Sequence, residues 1–304
     1  MRPTRTLLAT VVAGLLAITA CGGGGDPLAT NSTEPAGRDT ITVGSANFPE
    51  AVLLGEIYAG ALEAKGIQVE RKLNIGSRET YIKGLEDGSL DLVPEYTGVL
   101  LQYYDSDATA AEPDEVYAAL RDALPSGLTV LEMSSAEDKD AVVVTRETAE
   151  EYDLSSIEDL KPYASSMVLG GPPEWKTRPT GVPGLEKVYG LTFKSFKELD
   201  TAGPVTVAAL KSGQVDAANL FTTQSAIEEN DFVVLEDPKL LFTAQNVVPL
   251  IVEDKASDTV RDALNAVSAQ LDTETLRELV RKVEVDKEDP DTVAEEWLTT
   301  TGLV

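Results

Sequence analysis

The spacing of apolar residues after Ile41 changes from that of a strand to that of a helix and back. Residues 41–43 predict a short strand. A helix is predicted from about Glu50 to Lys65, because apolar residues recur there at helical spacing: Leu54, Ile57, Tyr58, Ala61 and Leu62. Gly66 stands where a C-terminal cap belongs, and Gln68 to Leu73 predict a second strand. A β-α-β unit with so short a crossover indicates a parallel sheet covered by helices.

Two segments that lie 125 residues apart share one pattern, namely Leu85 to Leu92 (LEDGSLDL) and Leu210 to Ala217 (LKSGQVDA). Each predicts the end of a helix, a glycine cap and a short buried strand with one aspartate. The offset is much too long for a solenoid repeat. We interpret it as one α/β lobe motif used twice. Chance is the alternative, since such junctions are common.

Glycine and proline dominate residues 170–184, which predicts an irregular loop suited to ligand contact. Beyond Leu250 the spacing becomes helical again, and a last helix is predicted to start near Asp291, with Asp291 as its N-cap. The inward-facing residues of these helices are predicted to be Val260, Leu264, Val267 and Leu271, then Leu276, Leu279, Val280 and Val283, and finally Val293, Ala294, Trp297 and Leu298.

Residues 1–20 have the pattern of an export signal. Arg2 and Arg5 precede an apolar run that ends in Ile18, Thr19 and Ala20, directly before Cys21, the only cysteine. At about 1.5 Å per residue, this run is too short to cross a hydrocarbon core of roughly 30 Å. The pattern predicts a lipoprotein signal peptide, lipidation of Cys21 and anchoring at a membrane surface, with residues 21–38 as a flexible tether.

The chain carries 25 basic and 52 acidic residues, a net charge of −27. Loss of residues 1–20 would leave 23 basic residues and a net charge of −29. A field of this sign repels nucleic acid, so no nucleic-acid partner is expected. Solubility is as good an explanation of the charge as electrostatic steering of cations.

The composition argues against the common catalytic mechanisms. There is no histidine, and lipidation of Cys21 would leave no thiol, which excludes a histidine triad and a cysteine nucleophile. The acidic run from Asp286 to Asp291 lacks the glycine that a calcium-binding EF-hand loop needs at its sixth position, where Asp291 stands. We predict no enzymatic activity, no cofactor and no metal. A carboxylate pair for acid–base chemistry and an all-oxygen metal site remain alternatives.

Several ordered blocks resemble the substrate-binding proteins of osmoprotectant ABC importers, which bind glycine betaine, choline or carnitine. The likeness covers essentially all of residues 41–304. The blocks are Gly44-Ser45-Ala46-Asn47-Phe48-Pro49-Glu50, Gly76-Ser77, Asp91 to Gly98 (DLVPEYTG), Glu174-Trp175-Lys176-Thr177-Arg178, Gly184 to Gly190 (GLEKVYG), Phe221-Thr222-Thr223, Phe232 to Leu235 (FVVL) and Val293 to Leu298 (VAEEWL).

The resemblance implies a type II periplasmic-binding-protein fold, an α/β architecture in which two lobes are joined by two hinge strands and hold ligand in the cleft between them. Lobe I would combine residues 39–144 with residues 247–304, and lobe II would be residues 145–246. Hinge bending would close the cleft, and a permease could then distinguish loaded from empty protein by shape.

The resemblance also implies ligand-binding residues. In the family a quaternary ammonium lies among aromatic rings, and an arginine takes the carboxylate of a betaine. Tyr96 matches one aromatic residue of this cage, and Arg178 matches the arginine. The matched blocks and their neighbours give the full predicted ligand-binding set: Asn47, Tyr96, Thr97, Trp175, Arg178, Phe221, Thr222, Thr223 and Gln245.

Other positions depart from the family pattern. Ala141, Val207 and Gln245 stand at or near positions of three cage tyrosines, Ala46 replaces a lysine, Val99 a threonine and Gln224 an aspartate. Tyr103 and Tyr104 could supply rings from the helix after Tyr96. The scaffold thus matches better than the ligand site, and weak or undetectable binding of glycine betaine is expected.

These observations predict a monomeric, extracytoplasmic, membrane-anchored solute-binding lipoprotein of an ABC importer. Its partners would be a small ligand of the osmoprotectant or quaternary amine class, an ABC permease and the ATPase of that permease. Two alternatives stay open. The ligand could be a different polar or aromatic compound, or the protein could be a surface sensor or adhesion lipoprotein without a permease.

Overall fold

The computed structural model describes residues 40–304. The predicted signal peptide, Cys21 and the tether lie outside this range. Within it, no helix combines the length and the apolar character needed to cross a membrane.

Ten strands and eleven helices are present in the described residues. The strands are β1 (Thr40–Ala46), β2 (Gln68–Gly76), β3 (Leu92–Tyr96), β4 (Leu128–Val130), β5 (Asp140–Thr145), β6 (Val168–Gly171), β7 (Ser195–Glu198), β8 (Ala217–Phe221), β9 (Phe232–Val234) and β10 (Val247–Val252).

The helices are α1 (Pro49–Glu63), α2 (Arg78–Asp87), α3 (Thr97–Tyr104), α4 (Pro113–Ala123), α5 (Arg146–Tyr152), α6 (Val182–Gly184), α7 (Pro204–Lys211), α8 (Ala226–Glu229), α9 (Asp258–Gln270), α10 (Thr273–Glu284) and α11 (Pro290–Thr301). Short 3-10 turns cover Ile157–Leu160, Ala164–Ser166, Pro173–Lys176 and Glu253–Lys255, and a π-helical turn covers Leu185–Tyr189.

The strands form two five-stranded sheets with the same arrangement. The first sheet has the order β2-β1-β3-β10-β4, and the second has the order β7-β6-β8-β5-β9. In each sheet the first three strands are parallel, and the fourth is antiparallel to both of its neighbours. The molecule therefore has two α/β lobes of one topology, as the sequence analysis predicts.

The repeated aspartate has the same structural role in both lobes. Asp91 precedes β3, and its carboxylate accepts a hydrogen bond from the backbone N–H of Thr42 in β1 at 2.8 Å. Asp216 precedes β8 and accepts from the N–H of Val168 in β6 at 2.7 Å. Each follows a glycine with positive φ, Gly88 or Gly213. The similarity of the two sequence segments thus reflects equivalent positions in two sheets.

The chain crosses between the sheets twice, along two adjacent segments. Residues 137–139 lead into β5, and residues 245–246 lead back into β10. An antiparallel bridge joins Glu137 to Asn246, and the N–H of Asp138 donates to the carbonyl of Gln245 at 3.2 Å. The chain enters the second sheet at Asp140, five residues before the boundary at Thr145 in the sequence analysis, and re-enters the first sheet at Val247.

Each lobe has its own apolar core. In the first lobe, α1 and the C-terminal helices α9, α10 and α11 pack together, and most of the inward-facing residues predicted for those helices are buried.

The prediction for the start of the last helix was wrong in detail. Helix α11 begins at Pro290, so Asp289 occupies the N-cap position and Asp291 lies inside the first turn. Proline is favoured at the first helical position, because its missing N–H would have no partner there.

Candidate functional site

A cavity lies between the two lobes. Its wall combines aromatic rings with charged and amide side chains. The first lobe contributes Phe48, Arg78, Tyr81 and Tyr96, while the crossing segments and the second lobe contribute Asp138, Asp140, Glu174, Trp175, Arg178, Asn219, Phe221 and Gln245.

Three of the aromatic rings form a continuous group across the cleft. Phe48 lies directly before α1, and its ring centroid is 6.2 Å from that of Tyr96 and 5.0 Å from that of Phe221. Phe221 ends β8, so this group joins residues of both lobes. Tyr81 and Trp175 add two further rings to the cavity wall. Aromatic faces attract cations through the quadrupole of the ring.

Glu50 lies behind the aromatic group, in the first turn of α1. The hydroxyl of Tyr96 donates to Oε1 of Glu50, and the hydroxyl of Thr223 donates to Oε2, both at 2.6 Å. Thr223 follows β8, so this carboxyl also connects the two lobes. Only 3% of Glu50 is exposed, and burial raises its pKa to about 7 against the effect of both hydrogen bonds.

Two aspartates point toward the cavity from the segment that leads into β5. Alternate residues of an extended chain face the same side, which places Asp138 and Asp140 together on the cavity wall and Lys139 away from it. Asp138 accepts from the backbone N–H of Thr223 at 3.1 Å. Burial and the nearby Glu50 raise the pKa of Asp138. Burial also raises the pKa of Asp140, despite a 2.7 Å hydrogen bond from Nδ2 of Asn219.

Arg78 is held by a carboxylate of its own lobe. Its Nε and Nη2 donate to the two carboxylate oxygens of Glu95 at 2.7 and 2.9 Å, and the hydroxyl of Tyr81 donates to Glu95 at 2.7 Å. Glu95 is fully buried in β3. This bidentate pair neutralises the guanidinium on the cavity wall.

Arg178 is held by a carboxylate of the opposite lobe. Its Nε and Nη2 donate to Glu79, in α2, at 3.1 and 3.0 Å. Partial burial opposes ionisation of Glu79, but the hydrogen bonds and the charge of Arg178 outweigh it and lower the pKa of Glu79 to about 2. The arginine that the sequence analysis assigns to a ligand carboxylate is therefore already paired across the cleft.

Two amide groups on the cavity wall have one end without a partner. Oε1 of Gln245 accepts from the backbone N–H of Val99 at 2.9 Å, but its Nε2 has no partner among the described residues. Nδ2 of Asn219 donates to Asp140, but its Oδ1 has no partner there either. Both side chains are buried, with 1% and 0% of their surface exposed.

The structure brings six of the nine predicted ligand-binding residues together on the cavity wall: Asn47, Tyr96, Trp175, Arg178, Phe221 and Gln245. Thr97 is fully buried and accepts from the backbone N–H of Asn246 at 3.1 Å. The hydroxyl of Thr222 donates to Asp138 on the wall at 3.3 Å, and the hydroxyl of Thr223 donates to Glu50 behind the wall. Ligand contact at all nine positions stays a prediction.

The positions that depart from the family pattern are divided between wall and core. Ala46 and Val99 line the cavity, whereas Ala141 is buried in the core of the second lobe. Tyr103 lines an adjoining pocket that shares Arg78 and Arg178 with the first.

Several residues of the cavity wall are not among the predicted ligand-binding residues: Phe48, Arg78, Tyr81, Asp138, Asp140, Glu174 and Asn219. Phe48 and Glu174 lie inside the blocks quoted for the resemblance, so the same signal could have found them. The alternation of Asp138 and Asp140 is visible in the sequence, but their convergence with Asn219 depends on the pairing of β5 with β8. Within residues 40–304, no group of three or more acidic residues is arranged to hold a metal ion.

With the geometry established, comparison with known proteins identifies the class of protein. Residues 39–300 match the family described as the substrate binding domain of ABC-type glycine betaine transport systems, and the chain belongs to this family. Its members bind small molecules for transport.

Two curated relatives illustrate the range of the similarity. The glycine betaine-binding protein YehZ of Escherichia coli is 27% identical over 276 residues, which cover 86% of this chain and 90% of the relative. The ergothioneine transport permease/ergothioneine binding protein EgtU of Helicobacter pylori is 26% identical over 266 residues. That match covers 86% of this chain but only 48% of EgtU, so the chain spans about half of that relative.

A solved structure supports the fold. The crystal structure of a glycine betaine/carnitine/choline ABC transporter protein superposes with a TM-score of 0.67 at 21% identity, covering 86% of this chain and 99% of the other. The two-lobed architecture is thus that of periplasmic substrate-binding proteins.

Proposed function

We propose that this protein captures a small solute of the osmoprotectant and quaternary amine class by closing its two lobes around it, and delivers the solute to an ABC permease and its ATPase. The observation that carries the proposal is the cavity between the lobes, in which aromatic rings and buried carboxylates converge. π faces and carboxylates both favour a cation. In this proposal the protein binds and releases its ligand unchanged and is not an enzyme.

The proposal includes attachment to the membrane. The sequence pattern around Cys21 supports lipidation, and the lipid would hold the domain on the extracytoplasmic side, next to the permease. The two crossings of the chain would divide the lobes: lobe I would comprise the residues before the crossing at 137–139 and those from Val247 onward, and lobe II the residues between, which puts β5 in lobe II with its partner β8. We expect the protein to act as a monomer.

A ligand other than a betaine is the second candidate. Arg178 is paired with Glu79, so a ligand carboxylate would have to share or displace that partner. The absence of tyrosine at Ala141, Val207 and Gln245 also favours a ligand other than a betaine, because the aromatic cage of the family would be incomplete. The relative named for ergothioneine suggests that this scaffold also serves other solutes.

The test is a thermal-shift panel with the domain from residue 39 onward, using glycine betaine, choline and carnitine at millimolar concentration. A ligand at about 100 times its Kd stabilises the folded state by roughly 2.7 kcal/mol, which raises the unfolding midpoint measurably. We expect at least one of the three to raise it, and glycine betaine to require the highest concentration. If all three leave the midpoint unchanged, the quaternary amine proposal is wrong.

A matched pair of variants localises the binding. Tyr96→Ala removes one ring of the cavity wall and should weaken the binding of the active compound by about tenfold or more, because a desolvated cation–π contact contributes about 2 kcal/mol. Tyr152→Ala removes a tyrosine that packs against Tyr163 in the second lobe and should leave the affinity unchanged. Equal affinities in the two variants would place the ligand elsewhere.

A further inference from the structure

The cavity wall offers hydrogen-bond acceptors in addition to aromatic faces. Asp140 and Asn219 lie on the paired strands β5 and β8, and Nδ2 of Asn219 donates to Asp140 at 2.7 Å and to the carbonyl of Leu220 at 3.4 Å. These two bonds determine which end of the amide is the donor. Oδ1 of Asn219 is thereby left as a fully buried acceptor without a partner in the described residues, on the wall of the cavity.

The charges on the wall favour a cation that can approach these acceptors. Glu95 and Glu79 pair with the two arginines of the wall, Arg78 and Arg178. In the described part of the chain, neither Asp138 nor Asp140 has a lysine or arginine partner. Lys139, which lies between them in sequence, pairs with Glu137 at 3.2 Å. Burial raises the pKa of both aspartates, and a cation bound beside them would favour their charged forms, as Arg78 and Arg178 already do from a greater distance for Asp140.

A quaternary ammonium can interact favourably with only some of the groups on the cavity wall. It is attracted by the rings and by the carboxylates, but it has no N–H group to donate to Oδ1 of Asn219. A buried acceptor that stays without a donor costs free energy, because it has lost its hydrogen bonds to water. A cation with N–H groups satisfies the rings, the carboxylates and the amide oxygen together.

The second unpartnered amide group indicates what the other end of the ligand carries. Nε2 of Gln245 is a donor on the same wall, and its orientation is determined by the bond from Val99 to Oε1. A hydroxyl or carboxylate oxygen of the ligand would accept from it.

We infer that, within the proposed solute-binding function, the cavity selects a protonated amine or guanidinium with at least one N–H group over a fully methylated ammonium. Asp140 and Asn219 determine this preference. The selected nitrogen donates to Asn219 Oδ1 and to the aspartates, while the rings of Phe48, Tyr96 and Phe221 surround its alkyl groups.

The test uses two pairs of compounds that differ by one methyl group on nitrogen: N,N-dimethylethanolamine with choline, and N,N-dimethylglycine with glycine betaine. At neutral pH the nitrogen of each compound is positively charged, so within a pair only the N–H and the methyl group differ. Titration calorimetry on the domain from residue 39 onward should show that the N–H member of at least one pair binds about tenfold more tightly, since a hydrogen bond to a charged group is of that order.

Three variants assign the preference to its residues. Asp140→Asn keeps the shape and the acceptor for Asn219 but removes the charge, and should lower the preference toward unity. Asn219→Leu removes the amide oxygen and should do the same, provided that its thermal unfolding remains cooperative. Asp231→Asn removes one charge from a surface pair with Arg146 and should keep the full preference.

The other possible results separate a failure of this inference from a failure of the proposed function. If the quaternary member of both pairs binds as tightly as the N–H member or more tightly, the inference is wrong while the proposed function stands. If no compound of either pair binds, the inference is wrong, and the proposed function then depends on the result for carnitine in the thermal-shift panel. If the N–H preference persists in Asp140→Asn and in Asn219→Leu, these residues do not cause it.

Discussion

Glu50 shows how much of this site depends on a single buried group. It connects Tyr96 of the first lobe with Thr223 beyond β8, and its carboxyl is removed from water. Because burial disfavours the charged form, the pKa rises from 4.5 to about 7. A group of this kind releases its proton in the folded protein at a higher pH than in the unfolded chain, which makes stability depend on pH.

The sign of that dependence follows from proton binding. Between about pH 4.5 and 7 the folded protein keeps the proton of Glu50 while the unfolded chain has lost it, so the free energy of unfolding falls as pH rises. The pKa change corresponds to a few kcal/mol across this window and is shared with Asp138, whose pKa the nearby Glu50 also raises. Glu50→Gln should remove that component, so its stability relative to wild type should improve steadily from pH 4.5 to 7.

Urea unfolding of both proteins at several pH values measures the effect. Glu86→Gln, at an exposed position of α2, is the control and should follow the wild-type pH dependence. A constant difference between Glu50→Gln and wild type over the window would show that Glu50 titrates normally.

At the scale of elements, the two lobes use the same junction to start a central strand. A helix ends at a glycine with positive φ, and an aspartate then accepts the N–H of a residue in the neighbouring parallel strand. The backbone of the same aspartate donates to the carbonyl of that residue, Thr42 in one lobe and Val168 in the other, at 2.9 Å in both. The junction thereby aligns β3 with β1 and β8 with β6.

Asp216→Ala should destabilise the protein by about 1–3 kcal/mol, because the N–H of Val168 loses its acceptor in a partly buried position. Asp216→Asn keeps an acceptor at the same place and should cost less than half as much. Chemical unfolding of the two variants measures the difference. Equal losses would mean that the charge of Asp216, and not its hydrogen bond, stabilises the junction.

At the scale of the whole molecule, side-chain contacts join the lobes on either side of the cavity. Arg178 pairs with Glu79, Phe221 contacts Phe48, and Thr223 bonds to Glu50. These contacts favour the arrangement with the lobes together, and a hinge motion that separates the lobes must break them. Ligand binding and these contacts therefore act on the same equilibrium.

Glu79→Gln should weaken the cross-cleft pair and shift the free protein toward an open form. The pair is partly exposed, so its contribution is at most about 1 kcal/mol, and ligand affinity should fall by no more than about fivefold. Small-angle scattering should show a larger radius of gyration for the free variant than for free wild type, and the same radius for both at ligand saturation.

Glu198→Gln is the control, because it removes an exposed partner of Lys176 within one lobe. It should change neither the radius of gyration nor the affinity. If ligand leaves the radius unchanged even in wild type, the hinge model is wrong.

Local patterns in the sequence were sufficient for several elements of the first lobe. The strand spacing after Ile41, the helical spacing that leads to Gly66 and the apolar stripes of the C-terminal helices predicted β1, α1, β2 and the buried faces of α9 to α11. The repeated glycine-aspartate segments indicated two related lobes. These inferences succeed because periodicity and turn residues act within about one turn or one strand of chain.

Tertiary structure alone decided which side chains share the cavity and what each of them bonds. Arg178 and Glu79 are 99 residues apart in sequence, and Thr223 and Glu50 are 173 apart. Asp140 meets Asn219 only because β5 pairs antiparallel with β8. Such contacts depend on strand register and on the packing of one lobe against the other, and no local periodicity encodes either. The sequence was therefore sufficient to predict which segments line the cleft. It could not predict that the two arginines of the wall pair with glutamates, or that Oδ1 of Asn219 has no partner among the described residues.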